Sequence, residues 1–238
     1  MYSFDIDALL RFTPPLCLCE RCFGLLGEIG DACPVCGVRY VASQQFPTTA
    51  SYLAYKGLDL HFDDLIAHCR DLAQIARSTR DSFAAPQPFY LPMRALLAAL
   101  QTAERFVHFT TYGISALLLG ALKLTAQTVD VRGIIAGVKT ENMLRELTDY
   151  KDEAPRLNLR LYQESQFFPH QKIVVIDGLL AFKGSANMTD FGWRKAAHGR
   201  EVLEPVTDVA EVVDLHNRFF SPVWAAGDTT EKILMSAD

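Results

Sequence analysis

The chain has 238 residues, 50% of them apolar, with 23 Lys and Arg against 28 Asp and Glu. Together with 15 Phe, 8 Tyr and 2 Trp, that apolar share excludes wholesale disorder, and the length supports one sizeable core plus a small satellite module. The net charge of -5 excludes a uniformly basic nucleic-acid binder. The charge is unevenly placed, however: residues 156–200 hold seven bases against three acids, and residues 201–238 hold two against eight. An anion-binding site is therefore expected in the first of these windows.

The longest largely apolar stretch, 113–122, stops at Lys123 and is about half the roughly 20 residues that a membrane span needs. Asp5 and Asp7 stand where a secretory signal would carry positive charge. A cytoplasmic protein with no membrane association is expected.

Five of the six cysteines fall within 17–36 and include two Cys-x-x-Cys pairs, Cys19/Cys22 and Cys33/Cys36. In a reducing compartment this spacing reads as a structural zinc site, four thiolates closing a tetrahedron with no open position for water. Cys17 could replace Cys19 with a wider spacing. The pattern marks 1–42 as a zinc-ribbon-like module. Residues 43–87 form a linker and a helical segment, since 41–57 is rich in polar and breaker residues and 63–79 has helical periodicity with Cys69 on its apolar face. Pro86 and Pro88 then separate this segment from a domain over 88–238.

Beyond Pro92 the pattern alternates: helix 93–104, strand 105–110, helix 115–125, strand 129–138, helix 141–151, strand 157–162. Such alternation predicts an α/β fold with a mixed, largely parallel sheet flanked by helices. Two further strands, 170–176 and 179–184, meet at Asp177-Gly178, a hairpin turn pair. A last amphipathic helix, 208–220, carries His216 on its apolar stripe and is ended by Pro222.

The chemistry-bearing segment begins at His170-Gln171-Lys172. On a strand His170 and Lys172 project from one face, and the hairpin returns Ser185 and Asn187 beside them. An imidazole, an ammonium, a hydroxyl and a carboxamide, with no accompanying carboxylate cluster, suit a phosphate held by positive charge and neutral donors, with no catalytic metal.

The run His170-x-Lys172-x4-Asp177-x6-Gly184-Ser185-x-Asn187 resembles the signature of the phospholipase D superfamily at every defining position. The resemblance implies a phospholipase D-like layered fold. It also implies a phosphohistidine mechanism, with His170 as the nucleophile, Lys172 and Asn187 on the non-bridging oxygens, and Ser185 as a supporting donor. Asp177 would order the hairpin, and Glu201 would orient an imidazole. Relatives that carry Asn two places before that Glu differ from this chain, which has Gly199 there.

The motif occurs once. His108 has no Lys two places on, and His61 is followed by Phe62-Asp63. The mechanism needs two histidines on opposite sides of one phosphorus, so a homodimer closing on the active-site face is expected. Single-motif relatives are mostly nucleases of the Nuc type. With Arg194, Lys195 and Arg200 available for flanking phosphates, the leading expectation is a metal-independent endonuclease acting on DNA or RNA. The alternatives are a lipid phosphodiesterase or phosphatidyl transferase, and a non-catalytic module that binds nucleic acid or protein.

Overall fold

In the computed structural model, the described residues are 17–18, 25–26, 35–37, 71–72, 74–77, 91–137, 145, 147–148, 154–162 and 170–226. Cys19, Cys22, Cys33, Cys69 and His61 lie outside them, as does most of the 43–87 segment. The short strands β1 (Cys17–Leu18) and β2 (Leu25–Leu26) pair antiparallel. The helix expected over 63–79 is represented by 71–72 and 74–77, and that over 141–151 by 145 and 147–148, all helical.

The body of the chain runs α1 (Leu91–Thr102), β3 (Phe106–Thr111), α2 (Ala116–Thr125), β4 (Asp130–Ala136), β5 (Leu157–Tyr162), β6 (Lys172–Ile176), β7 (Leu180–Gly184), α3 (Asp190–Ala197), β8 (Leu203–Val206), α4 (Val209–Phe219) and α5 (Ser221–Ala226). Six strands form one mixed sheet in the order β5-β4-β3-β6-β7-β8. The β3–β4 and β4–β5 pairings are parallel, and β3–β6, β6–β7 and β7–β8 are antiparallel. The expected mixed α/β sheet is present, its parallel part confined to the strands that alternate with helices.

Every residue of β3 and β6 is buried, the pattern of central strands covered on both faces. Val174 and Ile176 point into one core with Leu96, Leu100 and Leu122 of α1 and α2 and Trp193 of α3. Ile173 and Val175 point into the other, with Val212 and Leu215 of α4 and Phe220 and Trp224 beyond it. Helices at i, i+3, i+4 spacing thus close both sides of the sheet. Val35 and Cys36, from the cysteine-rich segment, pack against the first of these cores.

Of the elements beyond β2, three were not expected from the sequence: α3, β8 and α5. In addition, Pro222 does not simply end a helix. The α4 helix finishes at Phe219, and Pro222 lies in the first turn of α5, where a missing N–H costs nothing.

The β6–β7 turn forms as the Asp-Gly pair predicts. Asp177 (φ 56) and Gly178 (φ 74) are both left-handed, and the Leu179 N–H bonds the Ile176 carbonyl at 3.0 Å. At the other end of β7, a Cβ on Gly184 would fall far inside van der Waals contact with the Val202 carbonyl. Backbone cannot yield there as a flexible side chain would. Gly184→Ala is therefore expected to cost about 3 kcal/mol, read as a lower denaturant midpoint at unchanged slope. A midpoint within error of the parent would show that the β7–β8 pairing relaxes freely.

Candidate active site

Topology brings the functional segment to one edge of the sheet. The carboxyl ends of the parallel strands β3, β4 and β5 share that edge with the start of β6, the end of β7 and the start of β8, as the registers Thr110↔Ile173, Lys172↔Gly184 and Gly184↔Leu203 require. β3 has β4 on one side and β6 on the other. The edge at this switch point is where α/β sheets leave a crevice for ligands.

His170 is exposed just before β6, whereas Lys172 is only 6% exposed. The Lys172 ammonium donates to the His170 carbonyl at 2.7 Å and lies 3.3 Å from His170 Nδ1. Burial pulls the Lys172 pKa below its ordinary value, and the nearby Glu201 carboxylate opposes that pull. The Asn187 Oδ1 accepts the Tyr112 N–H at 3.1 Å, which leaves the amide NH2 as the end with donors to offer. Thr189 follows and caps α3, its hydroxyl accepting the Gly192 N–H at 2.9 Å.

Ser185 and Glu201 are joined directly. The Ser185 hydroxyl donates to Glu201 Oε2 at 2.5 Å and accepts the Val202 N–H at 2.9 Å. Its one proton is thus committed to the carboxylate, so in this arrangement Ser185 anchors Glu201 and does not itself present a hydrogen to a phosphate. Beside them a depression of about 510 Å³ is lined by His170, Ser185, Lys183, Leu215 and Phe219, among others.

Asp177 is not brought to this edge. It sits at the far end of β6, on the order of 16 Å from Lys172 at the usual strand rise. There its fully buried carboxylate accepts the N–H groups of Glu104, Arg105 and Phe106, each at 2.9 Å. Arg194 and Lys195 lie in the last turn of α3 with their cations 5.6 and 4.5 Å from the centre of the exposed Phe191 ring. Arg200 is exposed, directly before Glu201.

Sequence reasoning missed two neighbours of the site. Tyr112, one residue beyond β3, has its ring 4.6 Å from the Lys172 ammonium and 5.7 Å from the His170 ring. An aromatic residue directly after a buried strand was the only signal for it. Lys183 lines the depression, but its ammonium is 2.5 Å from Glu211 and 3.4 Å from Glu204. The hydrogen bond to Glu211 leads the effects that raise its pKa.

Of the four cysteines expected to bind zinc, only Cys36 is described. It lies in a turn followed by Gly37 at φ +68, while β1 and β2 bracket the Cys19/Cys22 pair. Among the described residues no group of three or more His, Cys, Asp or Glu is arranged to hold a metal. Nor is any helix among them long and apolar enough to cross a membrane.

The mixed sheet and the His-x-Lys pair at its switch-point edge lie within a phospholipase D-like domain. Residues 96–224, more than half of the chain, match the family model described as "Cardiolipin synthase, PLD-like domain", and the chain belongs to that family. No curated protein sequence matches it. Among solved structures it is similar to NucT from Helicobacter pylori, at 20% identity over 67% of this chain and 91% of that one, with a TM-score of 0.39. It is also similar to Nuc from Salmonella typhimurium, a phospholipase D family member, at 18% identity over 58% and 87%, TM-score 0.42. A third is the phosphatidylserine synthase of Haemophilus influenzae, at 12% identity over 60% and 43%, TM-score 0.34.

Proposed function

We propose that this chain is a phosphodiesterase that cleaves nucleic acid as a homodimer. The observation that carries the reading is the contact between exposed His170 and largely buried Lys172 at the sheet edge, with Asn187 and the Ser185–Glu201 pair beside them. In this reading His170 attacks phosphorus, forming a P–N bond as the P–O bond to the leaving group breaks. The His170 of a second copy gives its proton to the departing oxygen and then takes one from the water that opens the phosphohistidine. Lys172 and the Asn187 amide stabilise charge on the non-bridging oxygens. Asp177 orders the hairpin, and Glu201, held by Ser185, carries the negative charge that orients an imidazole.

Nucleic acid is favoured over lipid by the single motif and by the excess of bases in 156–200, where Arg194, Lys195 and Arg200 would meet flanking phosphates. The zinc, held by Cys33 and Cys36 with Cys22 and either Cys19 or Cys17, would be structural and would take no part in the cleavage.

Purified protein incubated with labelled DNA, labelled RNA and phosphatidylcholine vesicles tests the substrate class. Cleavage of an oligonucleotide is expected, with its loss in His170→Ala by at least about a thousandfold, as for removal of a covalent nucleophile, and with the parent still active in EDTA. Turnover of the vesicles alone would favour the lipid reading. Prompt loss of cleavage on chelation, with circular dichroism unchanged, would defeat the metal-independent mechanism. The dimer is tested by mixing His170→Ala with parent protein: a shared site predicts that the mixture loses more activity than dilution explains.

A further inference from the structure

We infer that Tyr112 is a positioning residue of this site, an aromatic clamp whose ring face holds the Lys172 ammonium against His170; the inference rests on the phosphodiesterase reading above. The residue is pinned from both sides. Its own N–H bonds the Asn187 side chain at 3.1 Å. The preceding Thr111 hydroxyl donates to the Gly113 carbonyl at 2.8 Å and accepts the Met188 N–H at 2.9 Å. The backbone of 111–113 is thereby fastened to the Asn187-Met188 segment, and the Tyr112 ring is delivered to a fixed place at the edge where β3 ends and β6 begins.

There it faces two groups of the site at once, with its centre 4.6 Å from Lys172 Nζ and 5.7 Å from the His170 ring. A ring face attracts a cation, and more strongly when water is excluded, as it is around the 6%-exposed Lys172. The clamp therefore does two things. It offsets part of the cost of burying the ammonium, keeping Lys172 charged where charge is needed, and it confines Nζ between the His170 carbonyl and Nδ1. Without the ring, the lysine would be easier to deprotonate and less narrowly aimed. The other titratable groups facing Lys172 are His170 on its own segment and Glu201 ahead of β8, and neither is altered in the test below.

Hydrolysis of bis(4-nitrophenyl) phosphate is followed against pH for the parent, Tyr112→Phe, Tyr112→Leu and Tyr112→Met. The Phe variant keeps the ring and is expected within about twofold of the parent, whereas Leu and Met lose about tenfold in kcat, the range a desolvated cation–π contact spans. Their alkaline limb moves to lower pH, a change that a purely structural role would not produce. An unmoved limb in Leu and Met, or a Phe variant as impaired as Leu, overturns the clamp; should Leu not fold, Met gives the same reading. If the parent turns over no phosphodiester at all, the functional reading falls by itself. An NMR titration of [13Cε]lysine at Lys172 then decides the clamp: a lower pKa in Leu and Met than in parent and Phe supports it, and equal values overturn it.

Discussion

Asp177→Ala is expected to lower the unfolding free energy by about 4 kcal/mol, because it strips the partner from three backbone donors, that of Phe106 buried and those of Glu104 and Arg105 part-buried, at about 1–3 kcal/mol for each donor left buried. The Asp177 carboxylate is fully buried and accepts the N–H groups of Glu104, Arg105 and Phe106, and its own N–H bonds the Phe106 carbonyl at 3.0 Å. One side chain thus ties the β6–β7 turn to the entry of β3. Its left-handed φ of 56° adds to the cost, since alanine tolerates that region less well than aspartate, by roughly 1 kcal/mol. Asp177→Asn keeps one acceptor oxygen and the turn preference, so it should fall between parent and Ala.

The same variants separate the two ends of the motif. Asp177 lies at the opposite end of β6 from Lys172, so turnover per folded molecule should stay at the parent value at a temperature where Asp177→Ala is still folded. Denaturant midpoints and initial rates on the same samples decide the matter. Lost turnover with an unchanged midpoint would place this carboxylate in the chemistry and refute the structural assignment.

The contrast explains what could be read from the sequence. The Asp177-Gly178 turn was legible because its conformation is set by two adjacent residues that both accept positive φ. The strand β6 was legible because burial on both faces leaves an almost unbroken apolar run, and β3 because its Phe, Val and Thr residues favour strand between two helical patterns. By contrast, α3 spans only 8 residues and carries Gly192, a poor helix former; its fixed points are the Thr189 cap and the burial of Trp193 and Ala196. β8 has four residues with Pro205 inside, tolerable because this strand lies at the sheet edge. In both elements tertiary packing outweighs local propensity.

The candidate site divides along the same line. His170, Lys172, Ser185 and Asn187 lie at the open ends of one hairpin, Lys172 first in β6 and the other three within three residues of a strand end, a grouping that a linear pattern encodes. Tyr112 reaches them across the β3–β6 pairing, 60 residues from Lys172 in sequence. The Ser185–Glu201 bond likewise depends on a strand, β8, that the pattern did not reveal. Contacts of this kind become visible only once register is fixed.

The longest-range case is a pair of histidines deep in the second core, and acid should expose it. Stability is expected to be full above about pH 6.5 and to fall steadily as the pH drops towards 4. His108 and His216 are fully buried, with His108 Nδ1 2.8 Å from His216 Nε2. A neutral pair can share one proton across that gap, whereas two imidazolium rings would set N–H against N–H. Phe106 and Phe220 flank the rings, and His216 Nδ1 meets the Ser221 hydroxyl at 3.2 Å. The charged groups that face the pair are Asp130, 3.7 Å from His108 Nε2, then Arg132, itself bonded to Asp130 at 2.7 Å, and Asp177 more remotely.

Burial, the largest influence, pushes His108 down to about 4 despite the opposing pull of Asp130. It also pushes His216 well below its usual value, with His108 adding to the effect. Both groups bind protons more readily unfolded than folded, so acid favours the unfolded chain between the two sets of values. For His108 alone the shift from 6.5 to about 4 amounts to on the order of 3 kcal/mol. His216 steepens the slope and extends it to lower pH. Urea midpoints at half-unit steps from pH 7 to 4.5 read this directly. The double variant His108→Met/His216→Leu, which replaces the pair with apolar side chains of similar bulk, should flatten the curve over that window. Equal slopes in parent and double variant would show that the acid sensitivity arises elsewhere.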